Sequence, residues 1–197
     1  MRILPATPKG IEAALEALER GETVIHATET CYGFACDLNN LKAVSRLFAI
    51  KQRSANQPVS ALFSSIEEAR KYVEWNDQAE QLAQEFLPGR LMIVLLRRNN
   101  TPYALHPTPQ SHSPTLGIRV SSHPIAMELV QKFGRPISTT SANLHGKPSP
   151  YSIKEILEQY KDAPEKPDLI LDSGPLPLRK PSRIIDCTGS SQTILRA

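Results

Sequence analysis

Apolar positions recur at helical spacing in several parts of the chain. The first predicted helix lies between a capping Thr7-Pro8 and a terminating Gly21, and its apolar face is formed by Ile11, Ala14, Leu15 and Leu18. The same spacing, or a Ser-x-x-Glu capping box, predicts further helices over about 41–50, 65–73, 77–86 and 123–133, and after Ser152.

Short apolar runs between these helices predict strands at 23–28, 58–63, 90–97, 115–120, 135–139, 169–172, 183–186 and 193–195. The run 90–97 is the most apolar, so we expect it to be a buried central strand. Because strands and helices alternate, the sequence predicts one α/β domain over 1–197, with a twisted, open, mostly mixed sheet flanked by helices.

Composition places the chain among globular proteins, with 40% hydrophobic and 22% charged residues. A net charge of +3 permits an anionic partner without requiring one. Three cysteines argue against a disulfide framework and for a reducing compartment. The sequence has neither an apolar run of about 20 residues nor a signal peptide, so we expect a cytoplasmic protein without a membrane partner.

Common catalytic motifs are missing from the sequence. It has no GxxxxGK[ST] phosphate loop, no GxGxxG, no HExxH and no GxSxG. The five histidines lack metal-ligand spacing, so no protein metal site is predicted. The segment 99–114 has four prolines and no periodicity, which makes it a candidate lid or binding loop.

Two polar segments are candidate ligand sites. Residues 27–34, ATETCYGF, follow a predicted strand and offer hydroxyls and a carboxylate, although a polar strand end turned by Gly33 explains them as well. Residues 138–152 crowd hydroxyls and Asn143 after a strand, as in loops that hold phosphates, although a plain Ser/Thr-rich connector is the alternative. No base lies near these serines, which argues against covalent catalysis.

Lys51 and Arg53 form a third candidate site. If the backbone is extended, both cations face one spot, where a Lys charge and an Arg fork suit a phosphate chain. A solvated basic turn is the simpler explanation of a Lys-x-Arg pair alone.

Six segments in this order make the chain similar to the YrdC-like family of threonylcarbamoyl-AMP synthases, from about residue 20 to the C-terminus. They are TETCYGF, KQRSANQP, LPGRL, GIRV, STTSANLHGKPSP and PSRIID. The resemblance implies a YrdC/RibB-like fold in the short form of the family. It also implies a nucleotidyltransferase that converts ATP, L-threonine and bicarbonate into threonylcarbamoyl-AMP and pyrophosphate. Mg²⁺ would accompany ATP, and a tRNA-modifying complex would accept the adenylate.

The resemblance also implies site residues. Lys51 and Arg53 would be catalytic through their charge on the phosphates. ATP would contact Lys51, Arg53, Gln57, Thr115, Ser141, Asn143, Ser149 and Arg196. L-Threonine would contact Thr30, Arg119, Thr139 and Ser182.

Three positions depart from the family pattern. His26-Ala27 stands where Tyr-Pro is usual, Leu62 where some members have His, and Leu91-Met92 near a common Thr. These departures remove no charge from the phosphate site, but they leave the shape of the threonine pocket open.

Two other functions fit parts of the sequence. An RNA- or tRNA-binding module without turnover fits the basic charge, yet the few aromatic residues do not cluster with Lys or Arg as stacking platforms do. Direct RNA binding by an enzyme is a related possibility. Carbamoyl-transfer relatives in hydrogenase maturation carry zinc-finger cysteine pairs, which this sequence lacks.

Overall fold

The computed structural model describes residues 1–110 and 113–197, so part of the candidate lid 99–114 lies outside the described residues. Its helices are α1 Pro8–Glu19, α2 Leu41–Lys51, α3 Ile66–Ala69, α4 Asp77–Phe86, α5 Pro124–Phe133 and α6 Ile153–Tyr160. Its strands are β1 Arg2–Pro5, β2 Val24–Ala27, β3 Tyr32–Ala35, β4 Ser60–Leu62, β5 Leu91–Leu96, β6 Thr115–Arg119, β7 Ile137–Ser141, β8 Leu169–Asp172, β9 Arg183–Asp186 and β10 Thr193–Arg196.

The strands form one open sheet in the order β1-β8-β2-β3-β7-β4-β6-β5-β9-β10. Strands pair parallel at β1–β8, β8–β2, β4–β6 and β5–β9, and antiparallel at the other junctions. The predicted α/β fold with a mixed sheet flanked by helices is confirmed.

Capping explains where most helices begin. The Thr7 hydroxyl accepts from the Gly10 N–H at the start of α1, and Asn40 caps α2. Ser152 and Glu155 form the complete predicted capping box of α6. The helix predicted over 65–73 is too long, because α3 ends at Ala69 and the chain then turns. Its Glu68 carboxylate is bound by Ser64 instead of completing a box with Ser65.

Two strands were not predicted. β1 lies at the edge of the sheet and has no buried residue in its four positions, so its pattern carries little signal. β3 contains Gly33, which the sequence suggested as a turn. The structure places Gly33 inside the strand, where a Cβ would lie 3.1 Å from Thr28 Cγ2 and 3.4 Å from the Thr140 carbonyl. The glycine permits close packing there rather than a turn.

Helices cover the two halves of the sheet differently. Near β1, β8 and β2, α1 and α5 pack on one face, and residues of α2 and α6 join the core of the other face. The run 90–97, expected to be a buried central strand, forms β5 inside the sheet between β6 and β9, but only one of its faces is buried. In β5 Leu91, Ile93 and Leu95 are buried, whereas Met92 and Val94 on the opposite face are only half-buried. The half of the sheet around β5 therefore leaves one face uncovered, and the candidate site lies on it.

The described part of the 99–114 loop is anchored to the body of the protein over residues 105–107. The Val59 N–H donates to the Pro107 carbonyl over 2.8 Å, and Arg97 Nη2 donates to the Leu105 carbonyl over 2.8 Å. No helix in the described residues is long and apolar enough to cross a membrane.

Candidate active site

A pocket lies on the uncovered face and crosses five neighbouring strands in the order β7, β4, β6, β5 and β9. Each contributes a side chain, and these are Thr139, Ser60, Arg119, Met92 and Ile184. Room for a ligand depends partly on Gly117 of β6, where a Cβ would come within 2.8 Å of Met92 Sδ and 3.2 Å of Ser60 Cβ. Polar groups on a sheet face that no helix covers are free to bind a ligand.

Eight of the twelve predicted site residues line this pocket. They are Thr30, Arg53, Arg119, Thr139, Ser141, Ser149, Ser182 and Arg196. The other four predicted residues, which stand outside the lining, are Lys51, Gln57, Thr115 and Asn143. The roles assigned to all twelve remain predictions.

Arg53 reaches the pocket from a bent segment rather than from an extended one. α2 continues through Lys51, and Gln52 adopts the left-handed conformation with φ 52°. The assumption that Lys51 and Arg53 point to one spot from an extended strand is therefore wrong. Arg53 donates from Nε to the Gln57 carbonyl over 2.7 Å and from Nη2 to the Pro58 carbonyl over 3.0 Å. Burial lowers the pKa of Arg53, which means that its charged guanidinium is less well solvated than it would be in water.

Lys51 lies behind the pocket wall. It is 2% exposed, and its ammonium donates to the Ser141 carbonyl and, over 2.8 Å, to the Asn143 carbonyl. Burial, and then the charge of Arg53, lowers the pKa of Lys51 to about 7. Lys51 therefore supports the segment that follows β7, and this support places Ser141 in the wall.

Asn143 organises the turn after β7. Its Nδ2 donates to the Leu144 carbonyl over 2.8 Å and to the Lys147 carbonyl over 2.7 Å, and its Oδ1 accepts from the Ser141 hydroxyl. The main chain joins this segment to β3, since the Ala142 N–H donates to the Tyr32 carbonyl and the Tyr32 N–H donates to the Pro150 carbonyl. The hydroxyl-rich segment 138–152 is thus fixed by hydrogen bonds and lines the pocket, unlike a plain connector.

The turn between β2 and β3 forms another wall. The Thr28 hydroxyl oxygen accepts from the N–H groups of Thr30 and Cys31 over 3.2 and 3.3 Å. The Thr28 hydroxyl also donates to the Cys31 carbonyl over 2.7 Å. These bonds hold the turn in one shape and place Glu29 at its tip.

Glu29 forms a buried ion pair with Arg119 of β6. Their side chains are 7% and 11% exposed, and the Arg119 Nη2 donates to the Glu29 Oε1. The second carboxylate oxygen of Glu29 accepts from the Ser121 hydroxyl. This pair connects the β2–β3 turn to the other half of the sheet.

The C-terminal strand closes a further side of the pocket. Arg196 of β10 donates from Nε to the Ser182 carbonyl over 2.8 Å, and both residues line the pocket. Burial, and then the charge of Arg119, lowers the pKa of Arg196. The guanidinium groups of Arg119 and Arg196 are therefore close enough for the charge of one to affect the pKa of the other.

The lining carries an excess of positive charge. Across residues 1–110 and 113–197 it includes three arginines and no carboxylate. Arg119 is paired with Glu29, whereas Arg53 and Arg196 form no ion pair within those ranges, so their positive charge favours an anionic ligand. In those same ranges no three His, Cys, Asp or Glu side chains cluster closely enough to hold a metal ion.

Sequence reasoning missed several residues of this site. The Glu29 carboxylate is visible in the sequence but was assigned no role, and Ser60, Met92 and Gly117 were not predicted. The pairing of Glu29 with Arg119 joins residues 90 positions apart, so no local pattern indicates it. The others depend on the register of strands distant in sequence, and that register is not visible in local patterns.

Comparisons with known proteins agree with this architecture. The Sua5, YciO and YrdC family model, described as telomere recombination, matches residues 16–197. A putative threonylcarbamoyl-AMP synthase of Methanocaldococcus jannaschii is 35% identical over 177 residues, covering 90% of this chain and 80% of the relative. A threonylcarbamoyl-AMP synthase of Vibrio cholerae is 34% identical over 157 residues, which covers 78% of this chain and 81% of the relative.

Solved structures give the same result. Pyrococcus abyssi Sua5 complexed with L-threonine has a TM-score of 0.85 and 31% identity, over 99% of this chain and 56% of that chain. The chain thus spans little more than half of Sua5. Escherichia coli YciO has a TM-score of 0.83 and 25% identity, over 99% of this chain and 93% of that chain. From the family match and these identities, the chain belongs to the Sua5, YciO and YrdC family.

Proposed function

We propose that this protein is a nucleotidyltransferase that converts ATP, L-threonine and bicarbonate into threonylcarbamoyl-AMP and pyrophosphate. The observation that carries the proposal is the lining itself, where Arg53, Arg119 and Arg196 share one hydroxyl-rich pocket without a carboxylate among the described residues. Such a pocket suits two anionic substrates together. The names of the relatives, and the complex of Pyrococcus abyssi Sua5 with L-threonine, agree with this chemistry.

The phosphates of ATP would lie along Arg53 and Arg196. Hydroxyls of Ser141 and Ser149 line the same pocket and can donate to phosphate oxygens. Lys51 supports this wall from behind through the Ser141 and Asn143 carbonyls. We keep Gln57 and Thr115 as predicted ATP contacts, although both stand outside the lining in this structure.

L-Threonine would lie on the Arg119 side. The guanidinium is a donor for the α-carboxylate, and Thr30, Thr139 and Ser182 provide nearby polar groups. Met92 and Ile184 form an apolar surface in the same pocket, which suits the methyl group of the substrate.

The reaction needs no protein nucleophile. The neutral amine of threonine attacks the carbon of bicarbonate and water leaves, giving a carbamate. A carbamate oxygen then attacks the α-phosphorus of ATP, while the bond from that phosphorus to the bridging oxygen breaks and pyrophosphate takes the electron pair. The pocket contributes positioning and positive charge, which is how proteins accelerate most transfers at phosphorus.

Mg²⁺ would enter with ATP as part of the substrate. Hydroxyl and backbone oxygens of the pocket are compatible with a hydrated magnesium ion bound mainly by phosphate oxygens and water. The ion would neutralise charge on the departing phosphates, and Arg53 and Arg196 would do the same from the protein side.

The product requires a partner. A mixed carboxylic–phosphoric anhydride is unstable in water, so it must pass quickly to an acceptor. We propose that a tRNA-modifying complex receives it and transfers the threonylcarbamoyl group to an adenosine amine of tRNA, with AMP as the leaving group.

Pyrophosphate release tests the proposal. ATP and the purified protein are incubated with threonine and bicarbonate, added singly and together, and the product is identified by mass. Release only with both substrates, with threonylcarbamoyl-AMP in the mixture, is the expected result. Release with neither substrate, or no release from the folded protein, contradicts it; in the second case, salt-dependent RNA affinity would favour an RNA-binding module instead.

A further inference from the structure

The buried carboxylate of Glu29 has no part in the substrate contacts described above. It is bound on both oxygens, by Arg119 at Oε1 and by Ser121 at Oε2. Glu29 lies outside the residues that line the pocket, so it acts on Arg119 rather than on a ligand directly.

The anchor on the second oxygen is itself fixed. Ser121 is 1% exposed, and its hydroxyl oxygen accepts from the His123 N–H over 3.1 Å at the start of α5. Because that bond occupies an acceptor site of the hydroxyl, its proton is free to be donated to Glu29. The Glu29 carboxylate, carried by the β2–β3 turn, is thus held by Arg119 of β6 and by Ser121 just before α5.

Arg119 is only partly used by this pair. A guanidinium has five N–H donors, and Glu29 engages Nη2 alone. The Nε atom is buried, and no group in the described residues accepts from it. The guanidinium therefore has more donors than acceptors in the described residues, and because Arg119 lines the pocket a ligand there can accept from the donors that face it.

We propose that Glu29 is a positioning residue that holds the Arg119 guanidinium so that its remaining donors face the carboxylate of the amino-acid substrate. This inference rests on the proposed function, because it concerns the threonine side of the same pocket. Without Glu29, Arg119 could take several rotamers, and a bidentate contact with the substrate would be formed less often.

An opposite role for Glu29 is chemically reasonable and predicts the opposite change in threonine affinity when Glu29 is replaced. If Glu29 merely competed with the substrate carboxylate for Arg119, removing its charge would strengthen threonine binding. The two roles can therefore be distinguished by whether removing the Glu29 charge weakens or strengthens threonine binding.

The test compares Glu29→Gln and Ser121→Ala with a control, Glu80→Gln. Glu80 also pairs with an arginine, Arg70, but neither residue lines the pocket. In Glu29→Gln we expect the KM for threonine to rise roughly tenfold, as for a weakened charge-assisted contact, while the KM for ATP stays within about twofold. Ser121→Ala should move the threonine KM in the same direction by less, and Glu80→Gln should leave both unchanged.

Calorimetric titration of L-threonine into each protein without ATP tests the positioning role of Glu29 separately from the proposed function. Binding by the wild type, with a weaker Kd in Glu29→Gln, is expected. Equal or tighter binding in Glu29→Gln overturns the positioning role but leaves the proposed function standing. No binding by the wild type overturns both. If Glu29→Gln does not fold, Ser121→Ala decides, since it keeps the ion pair; an unchanged threonine Kd there overturns the positioning role.

Discussion

Lys51 donates a 2.8 Å hydrogen bond from its ammonium to the backbone carbonyl of Asn143, which lies far along the chain in the turn after β7. The same ammonium also binds the Ser141 carbonyl. One buried cation therefore holds two points of the segment that carries pocket hydroxyls. Arg53, two residues later in sequence, does reach the pocket, so the two cations have different roles in this fold.

Replacing Lys51 with Met should weaken both the fold and the reaction. Two buried carbonyls lose their donor, and the relief of a desolvated charge offsets part of this loss, which leaves about 2 kcal/mol of destabilisation. For a chain of this size the Tm should fall by roughly 4–8 °C. Displacement of Ser141 should lower kcat/KM on the order of 10²-fold.

The control for Lys51→Met is Lys42→Met, since Lys42 lies on the exposed side of the same helix. Differential scanning calorimetry and pyrophosphate release should show that this control behaves like the wild type. A stable Lys51→Met protein with a raised KM for ATP alone would instead assign Lys51 directly to the phosphates.

Arg53→Ala should separate catalysis from stability. Its two hydrogen bonds go to carbonyls of Gln57 and Pro58 near the surface, and water can replace them. We therefore expect an unchanged Tm and a fall in kcat/KM on the order of 10²-fold, because a charge on the departing phosphates is lost. Arg2→Ala, at the far edge strand, is the control. An unfolded Arg53→Ala protein would show that this cation is structural.

The sequence predicted local elements better than their assembly. The apolar periodicity or capping residues of α1, α2, α4 and α6, and Pro124 at the start of α5, are strong local signals, and each helix formed close to where it was expected. β3 was missed because Gly33 resembles a turn residue, and its true role depends on Thr140 from a distant strand. β5 was expected to be a buried central strand, yet one of its faces contributes Met92 to the pocket.

The candidate site was predicted mainly through the family resemblance. Residues such as Arg119 and Ser182 carry no local signal, and they line one pocket only because β6 and β9, which follows Ser182, lie in one sheet. Sequence spacing also suggested that Lys51 and Arg53 act as one pair. Because Gln52 between them adopts the left-handed conformation, Arg53 lines the pocket and Lys51 does not. The positions of the charges in the sequence do not predict this backbone conformation.

Arg119→Lys tests the threonine side of the pocket. Lysine retains the charge and can still pair with Glu29, but it lacks the planar fork for a substrate carboxylate. We expect the KM for threonine to rise about tenfold or more and the KM for ATP to change little. Initial rates measured with each substrate varied separately will show this. Equal increases in both KM values would contradict a role specific to threonine.

His26 provides a prediction about pH. It lies fully buried in β2, its Nδ1 is 3.0 Å from the Ala27 carbonyl, and in the described part of the chain nothing pairs with its Nε2. Burial, partly offset by the bond to Ala27, lowers the pKa of His26 to about 4. The neutral ring is therefore the folded form at neutral pH.

Stability should fall as the pH drops from about 6.5 towards 4. The unfolded chain takes up a proton on His26 near pH 6.5, whereas the folded protein does so only near pH 4. Because the unfolded state binds more protons in this window, acid favours it, by about 1.5 kcal/mol between pH 6.5 and 5. Urea unfolding at both pH values should show that His26→Phe loses this part of the pH dependence, while the His145→Phe control on the exposed 145–148 turn retains it. The same slope in His26→Phe and in the wild type would mean that other groups, such as the carboxylates, cause the acid sensitivity.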